Sequence, residues 1–152
     1  MKMRAFIGID PGRGGAAALI PEDDLPRTED WRGVAEACDL LRDWSQEFYI
    51  PLAALEHVHS FRGQGVKSTF SFARNFGMWE AALASTGIPY LLPTPREWQK
   101  GLVKPSDGDN PKERSLSVAR RLFPDAELAR KRDHGRADAL LMAWWAQRQC
   151  AR

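Results

Sequence analysis

The chain is 152 residues long, 43% apolar and 28% charged, a composition that fits one compact domain spanning residues 1–152 and burying roughly two-thirds of its unfolded surface without covalent staples. Its two cysteines, Cys38 and Cys150, show no paired spacing, no apolar run is long enough to cross a bilayer, and the N-terminus lacks a signal-peptide core; disulfide-rich, secreted and membrane-spanning classes are excluded, and a reduced, cytoplasmic chain is expected. The net charge of +2 hides an asymmetry, because residues 1–76 carry 9 basic and 11 acidic side chains whereas residues 77–152 carry 13 and 9; an excess this small fits a nucleic-acid partner only if the positive groups share a face.

Residues 4–10 (RAFIGID) are apolar on both alternating faces, the pattern of a strand covered on both sides. Asp10-Pro11-Gly12 closes it as a turn. Residues 15–20 (GAAALI) read as a second strand, joined to the first closely enough for a hairpin. The acidic segment 21–30 contains two prolines and reads as a loop with at most a short third strand. Over 31–48 the spacing of Val34, Ala37, Cys38, Leu41, Trp44 and Phe48 predicts an amphipathic helix.

A short apolar strand follows at 51–58, with one acid, Glu56, inside it. The glycine-containing segment 60–67 reads as a mobile loop, and 68–86 as a helix carrying Phe72, Phe76, Trp79, Ala82 and Leu83, stopped by Gly87. Residues 88–92 read as a core strand closed by Pro93 and Pro95. After it come a short helix over 96–102, a polar loop over 104–110, a helix over 111–123 with Pro111 in its first turn, a basic connection over 125–132 and a final helix over 134–148. This order predicts an α/β fold: a mixed sheet with antiparallel N-terminal strands and helices on both faces.

Three acids sit where an acid is disfavoured. Asp10 ends a buried strand, Glu56 lies within another, and Asp138 is embedded in an apolar helix among Ala137, Ala139, Leu140 and Leu141. A buried carboxylate needs a partner, a hydrogen bond or a metal ion. Taken singly, Asp10 also suits a turn former and Glu56 also suits an edge strand facing solvent; together, on these elements, they point to a shared site. The segment Gly12-Arg13-Gly14-Gly15 lacks the lysine and hydroxyl residue of a phosphate-binding loop.

The run Phe6-Ile7-Gly8-Ile9-Asp10-Pro11-Gly12, the Leu55-Glu56 strand, Pro93-Thr94-Pro95 with its basic helix, Pro111-Lys112-Glu113 and Ala137-Asp138-Ala139-Leu140 resemble, in order and spacing, the RuvC family of Holliday-junction resolvases within the RNase H-like nucleases. Its compact length suggests a bacteriophage member, which would act in the bacterial host cytoplasm. The resemblance implies an RNase H-like fold and a metal-dependent endonuclease cutting four-way junctions, with flaps as a further branched substrate. Asp10, Glu56 and Asp138 would be metal ligands converging on two Mg²⁺ ions, with Mn²⁺ as a substitute. The family places a fourth ligand three residues before the last acid, where this chain has Gly135. Two substitutes stay open. His134 shares the face of Asp138 on a regular helix, and Asp133 fits an N-cap for the Arg136 amide while also offering a carboxylate.

Phosphate contacts are expected from Arg62, Lys67, Arg74, Arg96, Lys100, Lys112 and Arg136, which flank the acids in sequence. Phe61 is a candidate to stack at an opened branch point, and equally a core residue at the start of the next helix. A two-fold symmetric junction calls for two active sites, so the resemblance implies a homodimer, for which the helix over 68–86, with Phe70, Phe72, Phe76 and Trp79, offers an apolar face unless all of it is core. An RNA-directed nuclease of the same superfamily and a non-catalytic nucleic-acid-binding module are the alternative readings.

Overall fold

The computed structural model describes residues 1–57, 63 and 65–151. Among these residues five strands, β1 (Ala5–Asp10), β2 (Ala16–Pro21), β3 (Arg27–Asp30), β4 (Ala53–Leu55) and β5 (Tyr90–Leu91), form one sheet in the order β3-β2-β1-β4-β5. The first three run antiparallel to one another, and β1, β4 and β5 run parallel. The helices are α1 (Val34–Glu47), α2 (Val66–Thr86), α3 (Pro95–Gln99), α4 (Pro111–Leu122) and α5 (His134–Cys150). The mixed sheet expected from the sequence is thus formed, with helices on both faces.

Strand alternation divides the core in two. Ala5, Ile7 and Ile9 of β1, with Ala17, Leu19, Ala53 and Leu55, pack against Ala37, Leu41 and Trp44 of α1 and Trp79, Ala82 and Leu83 of α2. Phe6 of β1, with Ala18, Ile20 and Ala54, faces the other way, onto α3, α4 and α5. Gly8 lies on that second face, and its missing side chain is what admits α5: a Cβ there would lie 1.9 Å from the Ala139 carbonyl oxygen and 2.4 Å from the Ala143 nitrogen. The crossing brings α5 down on the middle of β1, and α5 is accordingly buried on nearly every side.

Two expectations change and one is made definite. The segment read as a core strand at 88–92 supplies only a two-residue edge strand, with Tyr90 half-buried and Leu91 exposed. The acidic segment 21–30 contributes the short third strand the sequence allowed, β3, on the opposite edge. Helix α2 starts two residues early and divides along its length: Trp79, Ala82 and Leu83 are core, whereas Val66, Lys67, Phe70 and Arg74 are exposed. It is therefore neither all core nor one continuous apolar face. Among the described residues no helix is long and apolar enough to cross a membrane.

Candidate active site

Asp10 and Glu56 are neighbours because their strands are. In the parallel β1–β4 pair Ile9 stands opposite Leu55, and the Glu56 amide donates to the Ile9 carbonyl at 3.1 Å, extending the ladder by one residue. By alternation both carboxylates point to the face that α5 covers, as Phe6, Gly8 and Ala54 do. Asp138 sits on α5 immediately before Ala139, whose carbonyl crosses Gly8. The sheet and the crossing helix therefore bring the three acids to the C-terminal edge of β1 and β4.

Among the described residues each acid has a supporting donor. The Gly12 amide donates to Asp10 Oδ1 at 2.9 Å, so Asp10 shapes its turn as well as ending its strand. The indole Nε1 of Trp98, on α3, donates to Glu56 Oε2 at 2.7 Å inside the core. The hydroxyl of Ser115, on α4, hydrogen-bonds to Asp138. Asp138 Oδ1 is sealed from solvent with no hydrogen-bond partner among the described residues, a costly state for a carboxylate with no cation to face.

Electrostatics agrees with this crowding. Burial pushes Asp10 up to about 6, against the lowering effect of the Gly12 amide. Burial and the charge of Asp10 push Glu56 up to about 7, with Trp98 opposing. Asp138 is raised well above the usual carboxylate range by burial and by the charge of Asp10, with a smaller contribution from Glu56, while the Ser115 hydrogen bond opposes. All three would be relieved by a divalent cation, and hard carboxylate oxygens are the donors Mg²⁺ prefers. The acids repel one another, and among the described residues no three His, Cys, Asp or Glu side chains come close enough to hold an ion as they stand.

The fourth position resolves into a steric fact and a pairing. A Cβ on Gly135 would lie 2.3 Å from the Gly14 carbonyl oxygen, so the start of α5 presses against the β1–β2 turn and no side chain fits there. Asp133 does not cap the Arg136 amide as expected. Its carboxylate turns back instead, taking the Arg130 amide at 2.8 Å and the Arg130 guanidinium at 2.7 and 2.9 Å, with Arg136 at 3.8 Å. It is buried, and these cations hold it below the usual carboxylate range despite that burial. His134 opens α5 and is half-buried. Its pKa is lowered by burial and by the charge of Lys112, with Asp133 opposing, which favours the neutral imidazole that a metal ligand requires.

The expected phosphate contacts separate in the same way. Lys67 and Arg74 are exposed on α2, Arg96 and Lys100 at α3, and Lys112 at the start of α4. The Arg136 guanidinium grips Asp30 through two bonds of 2.8 and 3.0 Å and reaches Glu127, which ties α5 to the end of β3. Phe61 and Arg62 lie outside the described residues. Trp98 and Ser115 were missed from sequence because nothing in the chain marks a tryptophan or a serine as the partner of a carboxylate 42 or 23 residues away.

Among the described residues, a mixed five-stranded sheet with acids at the C-terminal edge of its central strands and on the helix crossing them is an RNase H-like α/β fold. The fold is that of RuvC: the chain superposes on a Thermus thermophilus RuvC in complex with a Holliday junction substrate with a TM-score of 0.62 and 18% identity, covering 92% of this chain and 90% of that one. A second Thermus thermophilus RuvC structure gives 0.58 and 19%, covering 91% and 90%. In sequence, 90 residues, 58% of the chain, are 36% identical to the chloroplastic Holliday junction resolvase MOC1 of Chlamydomonas reinhardtii, and the matched part is 10% of that relative's length. No protein-family model matches the chain.

Proposed function

We propose that the protein is a structure-selective DNA endonuclease that cuts four-way junctions and related branched DNA by metal-dependent phosphodiester hydrolysis. The observation that carries this reading is the Asp138 carboxylate oxygen sealed without a donor beside Asp10 and Glu56, on a sheet and helix arranged as in RuvC. Asp10, Glu56 and Asp138 would hold the divalent ions, with His134 as the fourth ligand in place of Asp133. When bound, two such ions activate a water and offset the charge growing on the leaving oxygen. The chain itself orients the ligands: Trp98 fixes Glu56, Ser115 fixes Asp138, and the Gly12 amide fixes Asp10. Carboxylates favour Mg²⁺, and an imidazole in the set extends the choice to Mn²⁺. Two cuts across a symmetric junction call for two sites, so we propose a homodimer as the working form.

The test is cleavage of labelled four-way junction, flap, plain duplex and RNA hairpin, each with and without Mg²⁺ or Mn²⁺, beside Asp10→Asn and Asp138→Asn. Metal-dependent cutting of junction or flap, abolished in both variants, is expected. Equal cutting of plain duplex would remove the structural selectivity. Preference for the RNA hairpin would move the protein to the RNA-directed branch, and junction binding without metal-dependent cutting would make it a binding module.

A further inference from the structure

Helix α5 carries two of the proposed ligands, His134 and Asp138, in its first two turns, and there its seam on the sheet is made of backbone. A Cβ on Gly135 would lie 2.3 Å from the Gly14 carbonyl oxygen, and Ala139 sets its own carbonyl oxygen against Gly8. A seam this smooth offers no side chain with which to key the rotation of the helix. Large apolar side chains do so from Leu140 onward, where Leu140, Leu141 and Met142 are fully buried, whereas the six residues before them are one histidine, one glycine, one arginine, two alanines and one aspartate. Counting about 100° per residue, His134 and Asp138 flank the Gly135 line by about 100° and 60° on one side, and Arg136 flanks it by about 100° on the other. Whatever holds Arg136 therefore sets how far Asp138 rolls toward Asp10 and Glu56.

Arg136 is firmly held. Its side chain is 14% exposed, and its Nε and Nη2 donate to the two carboxylate oxygens of Asp30 at 2.8 and 3.0 Å, a two-pronged pairing across 106 residues of chain. Its Nη1 donates to the Glu127 carbonyl at 3.3 Å. The anchor is itself fixed to the site. Asp30 ends β3 opposite Ala16, and the next amide, that of Trp31, donates to the Gly15 carbonyl at 3.0 Å. Gly15 in turn abuts Asp10, since a Cβ on it would meet the Asp10 carbonyl oxygen at 2.0 Å. The pairing thus runs from the strand end that carries Asp10, through β3, to the far flank of the helix that carries Asp138. We propose that Asp30 and Arg136 are positioning residues, a clamp that fixes the rotation of the first turns of α5 and with it the placing of His134 and Asp138. The proposal rests on the nuclease reading and adds to it the pair that keeps the α5 ligands in register.

The test removes the acid and leaves every cation in place, so that no phosphate contact is lost. The full chain carrying Asp30→Ala or Asp30→Glu is compared with wild type in three measurements. In thermal melting without DNA, followed across Mg²⁺ concentrations at pH 8, Asp30→Ala should raise the half-saturating Mg²⁺ concentration about tenfold, and the carboxylate of Asp30→Glu should restore it. Because Asp30 is half-exposed, its Tm in chelator should fall by less than about 4 °C. Hydrogen exchange in chelator should quicken at the Asp138, Ala139 and Leu140 amides and stay unchanged beyond Trp144. Junction cleavage at saturating DNA should fall about tenfold in Asp30→Ala and recover as Mg²⁺ is raised. An Mg²⁺ midpoint that stays put while Tm drops would make the pair a packing contact and overturn the proposal. Tighter junction binding with faster cleavage in Asp30→Ala would overturn it too, by showing Arg136 released onto a phosphate. A wild-type protein that Mg²⁺ does not stabilise sinks the nuclease reading, whereas unchanged exchange at these three amides in Asp30→Ala sinks the clamp alone.

Discussion

The indole nitrogen of Trp98 donates to Glu56 Oε2 at 2.7 Å across the core, joining the helix that follows β5 to the end of β4. A charge-assisted bond of this kind favours the ionised carboxylate and opposes the burial that raises Glu56 to about 7. Trp98→Phe keeps most of the bulk and removes the donor. Glu56 should then hold its proton to still higher pH, so that at pH 7 cleavage falls by roughly tenfold, corresponding to about 1.4 kcal/mol. Because the loss lies in protonation and positioning, raising the pH to 8.5 and the Mg²⁺ concentration should recover much of the rate. Cleavage measured as a function of Mg²⁺ at the two pH values is the check; an equal deficit under all four conditions would mean that Trp98 supports packing alone.

The metal-free protein should grow less stable as pH rises. Asp10 at about 6, Glu56 at about 7 and Asp138 higher still all have folded pKa values above those of the unfolded chain. The folded state therefore binds more protons, and its stability declines from about pH 4 upward through these values and stays low above them. Asp30 and Asp133, both held low by arginines, act oppositely, and their contribution is lost only as pH falls through the acid range. Melting in chelator should thus give a lower Tm at pH 8 than at pH 5, by an amount reflecting up to about 3 kcal/mol for Asp10 alone. Mg²⁺ should raise Tm at pH 8 and do little at pH 5. Asp10→Asn should raise the pH 8 value without metal and abolish most of the Mg²⁺ effect. A Tm that climbs from pH 5 to pH 8 in chelator would contradict the crowding of the three acids.

His134 and Asp133 separate by what their removal costs. Asp133 is buried against Arg130, whose guanidinium and amide it accepts from, so Asp133→Ala removes these bonds and should lower stability by about 2 kcal/mol, with activity falling only as far as folding does. His134→Ala should leave the urea midpoint within about 0.5 kcal/mol and reduce cleavage in Mg²⁺ or Mn²⁺ by at least tenfold. Parallel urea unfolding and cleavage assays distinguish the two, and an Asp133→Ala variant that is stable but inactive would return the fourth position to Asp133.

Much of the fold was legible because the strands and helices advertise their own burial. The apolar run around Gly8, the helical spacing of Leu41 and Trp44, and the apolar surroundings of Asp138 are local patterns. Likewise the three acids are conspicuous precisely where charge is disfavoured. The rest depends on partners far apart in the chain. The basic neighbours of Arg136 suggest a phosphate contact; its pairing with Asp30, 106 residues away, is invisible in them. Asp133 occupied the sequence position of a cap, but a 3-10 turn over Lys131–Asp133 precedes α5 and aims the carboxylate back at the Arg130 amide. Residues 88–92 are as apolar as a core strand, yet the sheet ends there and only two of them pair.

Gly135 occupies a position that the backbone around it closes to any side chain. An alanine there would set its Cβ 2.3 Å from the Gly14 carbonyl oxygen and 3.3 Å from Gly15 Cα. Neither neighbour is a flexible side chain that can step aside, and Gly15 is itself pinned, since a Cβ on it would meet the Asp10 carbonyl oxygen at 2.0 Å. The strain must therefore move the start of α5, and with it His134 and Asp138, away from the turn that holds Asp10. Gly135→Ala should cost about 1–3 kcal/mol of stability. It should also depress cleavage further than that destabilisation accounts for, because small displacements of ligands carry large rate penalties. An exposed control, Gly77→Ala on α2, meets no atom within 4 Å and should be neutral or slightly stabilising. Urea midpoints and cleavage rates of both variants, compared at a temperature where each is fully folded, provide the check. A Gly135→Ala protein with wild-type activity would mean that α5 does not need this close approach to place its acid.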